Sequence, residues 1–307
     1  MNITKVNLLV INNDHYQSMN LTYYRIHLIN RVCYILLFLV VCTASGLSQI
    51  LEEDVRKRSN PDSIRHDWDS RPYFTLFKDN YFIGGTSLGD KPNSLNSDVK
   101  FQLSISQRLT RSKLPFDSYL FVQFTQKAFW NVFQKSLPMH DINFNPGIGL
   151  GRIIINNNKY IGKGYIMLEH ESNGKDSLNS RSWNKFTFAM AVMLTHKIEA
   201  QVKAWIPIID GENNKDILKY NGIFQLAGNY RSEHRRFNVG LILTKRSKWD
   251  LGFNTQIELS YKFNQRENQY LFLQYYNGYG ENLLEYNKFH SRIRIGFVIK
   301  PQDFSIY

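Results

Sequence analysis

His170, Ser172 and Asn184 are the residues of this chain whose types and spacing best suit chemistry. His170 and Ser172 stand two apart, so on a β-strand both side chains point to one face. The string His170-Glu171-Ser172-Asn173-Gly174 is followed by a polar, turn-rich loop and then by Ser180-Arg181-Ser182-Trp183-Asn184. A hairpin across that loop brings together a hydroxyl nucleophile, an imidazole base and an amide that can orient the ring. The chemistry would be acyl transfer. Ser172 attacks an ester carbonyl, His170 carries the proton to the leaving alcohol, and Asn184 holds the imidazole. A lone His-x-Ser on a strand is more often a satisfied polar pair. The weight therefore rests on the longer string.

Strand phase says where such a site would face. Ile166, Leu168, His170 and Ser172 share one phase, while Tyr165, Met167, Glu169 and Glu171 share the other. Asn184 is in phase with Phe186, Phe188, Met190 and Val192. All three candidates thus fall on the apolar phase. A porin would keep them in its lumen; an outward site makes sense if the substrate is lipid lying against the protein. An ionised carboxylate is expensive to desolvate at that boundary, and a neutral amide avoids the cost.

The elements that must position these residues are strands. From about Tyr73 onward, period-two alternation dominates, as in Phe101-Gln102-Leu103-Ser104-Ile105-Ser106, in Leu251 to Ser260, and in Ser291 to Phe297. Twelve candidate strands follow, at about 73–84, 98–109, 118–130, 142–155, 160–172, 183–194, 197–207, 219–230, 236–245, 250–262, 268–278 and 288–299. The count is even, and connections after odd-numbered strands tend to be longer than those after even-numbered ones. The expected fold is all-β, a twelve-stranded antiparallel transmembrane β-barrel over residues 71–307. The terminal Phe304-Ser305-Ile306-Tyr307 looks like an outer-membrane assembly signal. A soluble barrel is the structural rival, but it would have to bury the Arg292 and Arg294 face in its core. No internal repeat or second domain is evident.

Composition fits this fold without demanding it. The chain has 307 residues, 18 Tyr and 21 Phe, which suit aromatic girdles and ordinary sandwiches alike. A formal charge of +12 raises the question of nucleic acid. No zinc-finger, helix-turn-helix or aromatic-basic motif accompanies it, and the expectation is no nucleic-acid partner. A solvated lumen and anionic headgroups explain the cations more simply. Residues 1–48 read as a signal-peptide region, with Arg25 and Arg31 ahead of the apolar run Val32 to Val41 and with Met19 as a possible true start. Both cysteines, Cys33 and Cys42, lie there, and Val41 is a poor neighbour for lipidation at Cys42. Residues 49–70 read as a polar, flexible lead-in.

The string HESNGKDSLNSRSWN resembles the active-site segment of the bacterial outer membrane phospholipase A family. That family runs H-x-S-N-G, a short loop, then S-R-S-W-N, and each position is filled here. Phe124-Thr125-Gln126-Lys127, Lys219-Tyr220, Gly222 and Gly278-Tyr279-Gly280-Glu281 look like further landmarks. The resemblance implies calcium-dependent hydrolysis of glycerophospholipid acyl esters at sn-1 and sn-2, and of lysophospholipids, in a Gram-negative outer membrane. It implies a Ser172-His170-Asn184 triad, with the Gly174 N–H and a calcium-bound water stabilising the oxyanion. Calcium would be held by Lys175 and Ser180 of one subunit and by Ser136 of the preceding outer loop of the other. Lys175 replaces the family's usual Arg, which backbone ligation would tolerate. The resemblance also implies a homodimer with Gln126 at its interface. By phase Gln126 faces lipid, where a bare amide is costly unless a partner satisfies it.

Two other motifs carry little. Gly85-Thr86-Ser87-Leu88-Gly89 fits G-x-S-x-G, but a loop follows where that motif needs a helix. His140-Asp141 lacks a third metal ligand. The functional rivals are a non-enzymatic porin or transporter barrel, with a wide aqueous lumen, and a soluble barrel for small hydrophobic ligands.

Overall fold

The computed structural model describes residues 60–307, apart from 210, 233–235, 248–251, 265–267, 302, 303 and 305. The signal-peptide region therefore lies outside the described residues, as do Leu251 and the first half of the lead-in, residues 49–59. Among the described residues no helix is long and apolar enough to cross a membrane. The sheet does so instead.

The strands are β1 (Phe74–Leu76), β2 (Asn80–Ser87), β3 (Ser97–Arg108), β4 (Tyr119–Trp130), β5 (Met139–Asn156), β6 (Lys159–Ser172) and β7 (Ser182–Met193). They continue with β8 (Ile198–Ile208), β9 (Phe224–Arg231), β10 (Phe237–Lys245), β11 (Phe253–Tyr261), β12 (Gln269–Gly278) and β13 (His290–Ile299). Each pairs antiparallel with its neighbours, and β13 returns to β2, so the sheet closes. β1 and β2 both lie along β3 and form one stave: from Phe74 to Tyr81 seven steps oppose five from Gln107 to Gln102, a bulge at the break. The barrel thus has twelve staves, at nearly the places that alternation gave. Closure leaves no unpaired edge for the bilayer to meet.

Burial follows the phase. Ile166, Leu168, Phe188 and Met190 stand outward and exposed, while Met167, Glu169, Trp183 and Thr187 point inward and are buried. The outward residues suit hydrocarbon. The inward ones include many ions, which must pair to be tolerated there. Arg294 does so fully, donating from Nε to Asp98 at 2.6 Å and from Nη1 to Glu281 at 2.6 Å. Lys100 joins the cluster through Gln274 at 2.8 Å and Glu281 at 3.2 Å. The Arg292 and Arg294 face that a soluble core could not hold is the wall of this ionic lumen.

At one end most turns are short, the connection 109–118 being the longest. Asn157 and Asn158 both have positive φ, +47° and +59°, the two-residue hairpin geometry that Asn tolerates well. The other end carries the connections 88–96, 131–138, 173–181, 209–223 and 279–289. In the eighth of the strands read from sequence, 219–230, residues 219–223 extend the strand. In the structure they instead belong to a short helix, α2 (Leu218–Asn221), and β9 starts at Phe224. Gly222 closes that turn at φ +66°, where an added Cβ would sit 1.7 Å from the Lys245 carbonyl.

One expectation at the N-terminal end of the barrel domain needs correction. Residues 61–70 are not a flexible lead-in but a helix, α1 (Pro61–Ser70), with Asn60 as N-cap and Pro61 in the first turn. Trp68 ties it down, its ring 6.0 Å from Tyr119 and 5.8 Å from Tyr160. The terminal aromatics do not lie on the last strand, which ends at Ile299. Phe304 and Ile306 are buried in one apolar cluster with Trp68, Phe77, Tyr119 and Phe121, and the Tyr307 N–H donates to Gln201. The tail folds back inside the barrel because the narrow-turn end offers it an aromatic bed.

Candidate active site

The hairpin of β6 and β7 places His170 opposite Asn184 and Ser172 opposite Ser182. Both pairs lie at the loop end of the barrel, above the apolar rows of Ile166, Leu168, Phe186 and Phe188. His170, Ser172 and Asn184 are half-buried. His170 Nδ1 lies 2.8 Å from Asn184 Oδ1. A carbonyl oxygen only accepts, so Nδ1 carries the proton and Nε2 presents its lone pair. The strand backbone under His170 is fixed as well: Asn145 Nδ2 on β5 donates to the His170 carbonyl at 2.8 Å.

On the lumen side of the same hairpin, Glu171 accepts from Trp183 Nε1 at 3.0 Å and from Lys185 Nζ at 2.8 Å. These inward bonds lock the two strands in register directly behind the site. Rigid strands hold a catalytic constellation better than a loop would.

Gly174 and the 173–181 loop cap the hairpin. Gly174 has φ +61°, and an added Cβ would come 3.1 Å from the Phe144 ring, so both backbone and space favour glycine. Ser172 itself pairs with Phe144 on β5, and Phe144 pairs with Gln126 on β4. Gln126 therefore sits in the same cross-strand row as Ser172, two staves away. Its side chain faces outward and makes no hydrogen bond among the described residues.

The loop residues with oxygens to offer are Lys175 and Ser180. Ser180 uses its N–H toward the Ser177 carbonyl and its own carbonyl toward Arg181, but its hydroxyl has no partner among the described residues. The Lys175 carbonyl is likewise unclaimed. Among the described residues no group of three or more His, Cys, Asp or Glu is placed to hold a metal. A hydroxyl and a carbonyl are instead the hard, neutral donors that suit calcium, so the residues present fit that ion as a partial ligand set. Ser136 lies apart, exposed in the 131–138 loop at φ +70°. One chain does not join it to the other two by any hydrogen bond.

The two weak motifs are placed plainly. Ser87 ends β2 and leads into a loop, so no nucleophile elbow forms. His140 pairs with Glu285 at 3.1 Å. Asp141, passed over with it, is a buried anchor: it accepts from Asn143, Asn173 and the Leu284 N–H. Nothing in the local sequence marks that role, since Asn173 and Leu284 are distant in the chain.

Comparisons with known proteins bear on the family and the fold of this chain. The family model for phospholipase A1 matches residues 77–299. Phospholipase A1 of Escherichia coli K12 is 31% identical over 215 residues, which cover 67% of this chain and 71% of that protein. The Salmonella typhimurium enzyme is 32% identical over 216 residues, 67% of this chain and 71% of its own. Among solved structures, outer membrane phospholipase A from Escherichia coli superposes with a TM-score of 0.65 at 25% identity, over 73% of this chain and 93% of that one. The Salmonella typhi enzyme, a dimer with bound calcium, gives 0.67 at 25% identity, over 79% and 99%. This chain belongs to the phospholipase A1 family: it is a β-barrel of the Gram-negative outer membrane that hydrolyses phospholipids.

Proposed function

We propose that Ser172, His170 and Asn184 form the catalytic triad of this phospholipase and that it works from the lipid-facing side of the barrel. The observation that carries the reading is the 2.8 Å contact between His170 Nδ1 and Asn184 Oδ1, on the outward face that also bears Ser172. His170 Nε2 takes the Ser172 proton as Oγ attacks the acyl carbonyl, then gives it to the departing glycerol oxygen. Water repeats the sequence on the acyl-enzyme. Asn184 keeps the ring in the right tautomer without placing a charge against hydrocarbon. The Gly174 N–H points the loop's donor at the developing oxyanion.

Calcium is the cofactor of this reading. Lys175 and Ser180 would hold it with Ser136 of the partner subunit. When bound, it supplies positive charge to the oxyanion through a coordinated water. The bound calcium and dimeric state of the Salmonella typhi relative support this assignment, as do the unclaimed oxygens of the loop. The homodimer would meet along the face bearing Gln126, whose outward amide gains a polar partner there. The substrates are glycerophospholipids at both the sn-1 and sn-2 esters, together with lysophospholipids. The site sits at the end bearing the long loops, which is the outer leaflet if the tight turns lie in the periplasm. Residues 1–48, with Met19 as the possible start, would direct export and be removed.

The deciding experiment is phospholipid hydrolysis in mixed micelles, with and without calcium, for the wild type and Ser172→Ala. Calcium-dependent activity that vanishes in the variant is expected. Full activity of a folded Ser172→Ala would overturn the triad, and hydrolysis indifferent to chelation would overturn the cofactor.

A further inference from the structure

Asn173 is only 3% exposed, and its N–H and both side-chain polar atoms are engaged. Its N–H donates to the Arg181 carbonyl at 3.1 Å. Its Oδ1 accepts from the Arg181 N–H at 2.9 Å and, more weakly, from the Lys175 N–H at 3.4 Å. Its Nδ2 donates to the Asn179 carbonyl at 2.9 Å and to Asp141 Oδ1 at 3.3 Å. One side chain thus spans the mouth of the loop, touching both of its ends and its far turn. It stands between Ser172 and Gly174 in sequence, so whatever fixes it fixes the Gly174 N–H.

Asp141 supports it from β5. It is 1% exposed, and its other oxygen accepts from Asn143 Nδ2 at 2.6 Å and from the Leu284 N–H at 2.9 Å. Asn143 in turn accepts the Leu283 N–H at 3.1 Å. The chain of bonds runs from the 279–289 connection through β5 into the site loop. A buried carboxylate is tolerated only when its lone pairs are filled, so the network resists losing any member.

We infer that Asn173, held by Asp141, is the positioning residue of the site: it sets the Gly174 N–H and the Lys175 and Ser180 oxygens relative to Ser172. This rests on the role proposed above for those groups. An amide is needed because the position must accept on one side and donate on the other. Aspartate would keep the acceptor but set two carboxylates against each other, and alanine would leave Asp141 short of a partner.

The test is a reciprocal exchange. Asn173→Asp should lower kcat at saturating calcium and raise the calcium midpoint, each by about tenfold or more, the scale typical when a supporting partner is lost. KM for micellar phospholipid should change far less. Asp141→Asn alone should be impaired too, since two amide donors then meet. Combining the two restores the donor–acceptor pair between positions 173 and 141 but leaves the new carboxylate facing the Asn179 carbonyl, so kcat should recover in part, to roughly threefold or more above Asn173→Asp. A general structural defect would not be repaired this way. Asn173→Ala, which adds no charge, guards against a variant that fails to fold and should show the same losses. Wild-type kcat in folded Asn173→Asp, or a double variant no better than Asn173→Asp, would overturn the inference. A wild type indifferent to calcium would sink only the metal assignment; the kcat loss and its recovery would still decide the positioning role.

Discussion

His170 and Asn184 face each other across neighbouring strands, 14 residues apart in the chain, with Nδ1 and Oδ1 2.8 Å apart. The contact fixes which nitrogen is free, so removing it should harm catalysis without abolishing it. Asn184→Ala is expected to lose about 10- to 100-fold in kcat, less than the loss of a general base. Ser172→Ala and His170→Ala should each lose about 10⁴-fold or more. All three should remain heat-modifiable barrels on gels. An Asn184→Ala variant as dead as Ser172→Ala would show that orientation is not its whole role.

Calcium should favour dimers if its ligands come from two subunits, because ligation and association are then linked. Sedimentation in detergent should show the dimer fraction rising with calcium and falling on chelation. Ser180→Ala should raise the calcium requirement more than Ser182→Ala. Gln126→Leu should weaken the dimer while leaving the monomer barrel as stable or more so, since an outward amide is replaced by hydrocarbon. A constant monomer fraction with full activity would refute the linkage.

The direction in which the site faces can be read chemically. Cys33 and Cys42 are the chain's two cysteines, and neither lies in the barrel. Single cysteines placed at Asp176 in the site loop and at Asn157 in the tight turn should therefore label selectively. An impermeant thiol reagent on whole cells should reach position 176 and spare 157. The reverse pattern would invert the topology and remove the outer-leaflet role.

Acid should loosen the 279–289 connection. Hydrogen bonds from His140, and then from His290, hold the Glu285 carboxyl well below the usual carboxylate range. A depressed folded value means that the stabilisation is present above the unfolded value, about 4.3, and fades as pH falls below it. Protection of the amides in residues 279–289, measured against the intrinsic exchange rate at each pH, should thus fall from about pH 5 downward. Glu285→Gln should exchange faster at neutral pH and show a flatter profile over the same window.

The fold was legible because each stave buries one face and not the other. That forces a period of two, and a slip of one residue would turn every side chain over. The site was legible for the same reason, since His170, Ser172 and Asn184 are polar residues on an apolar phase. The helix α1 was not, because its ten residues are mostly polar or charged and only Ile64 and Trp68 give it an apolar side toward the barrel. The turn of α2 was hidden because Leu218-Lys219-Tyr220-Asn221 also reads as a strand start. Asp141 and Asn173 were illegible for a different reason. Their bond joins residues 32 apart, and only the closed barrel brings the two together.

The interior of this barrel is occupied by its own ions, by aromatic rings and by the returning tail of Phe304, Ile306 and Tyr307. In electrical terms, such a filled interior should make the molecule a poor conductor. A planar bilayer carrying it should hold its voltage, where a porin of similar stave number would pass current. A cell could then keep many copies in its envelope, silent or active, without short-circuiting ion gradients or opening a route for small toxic solutes.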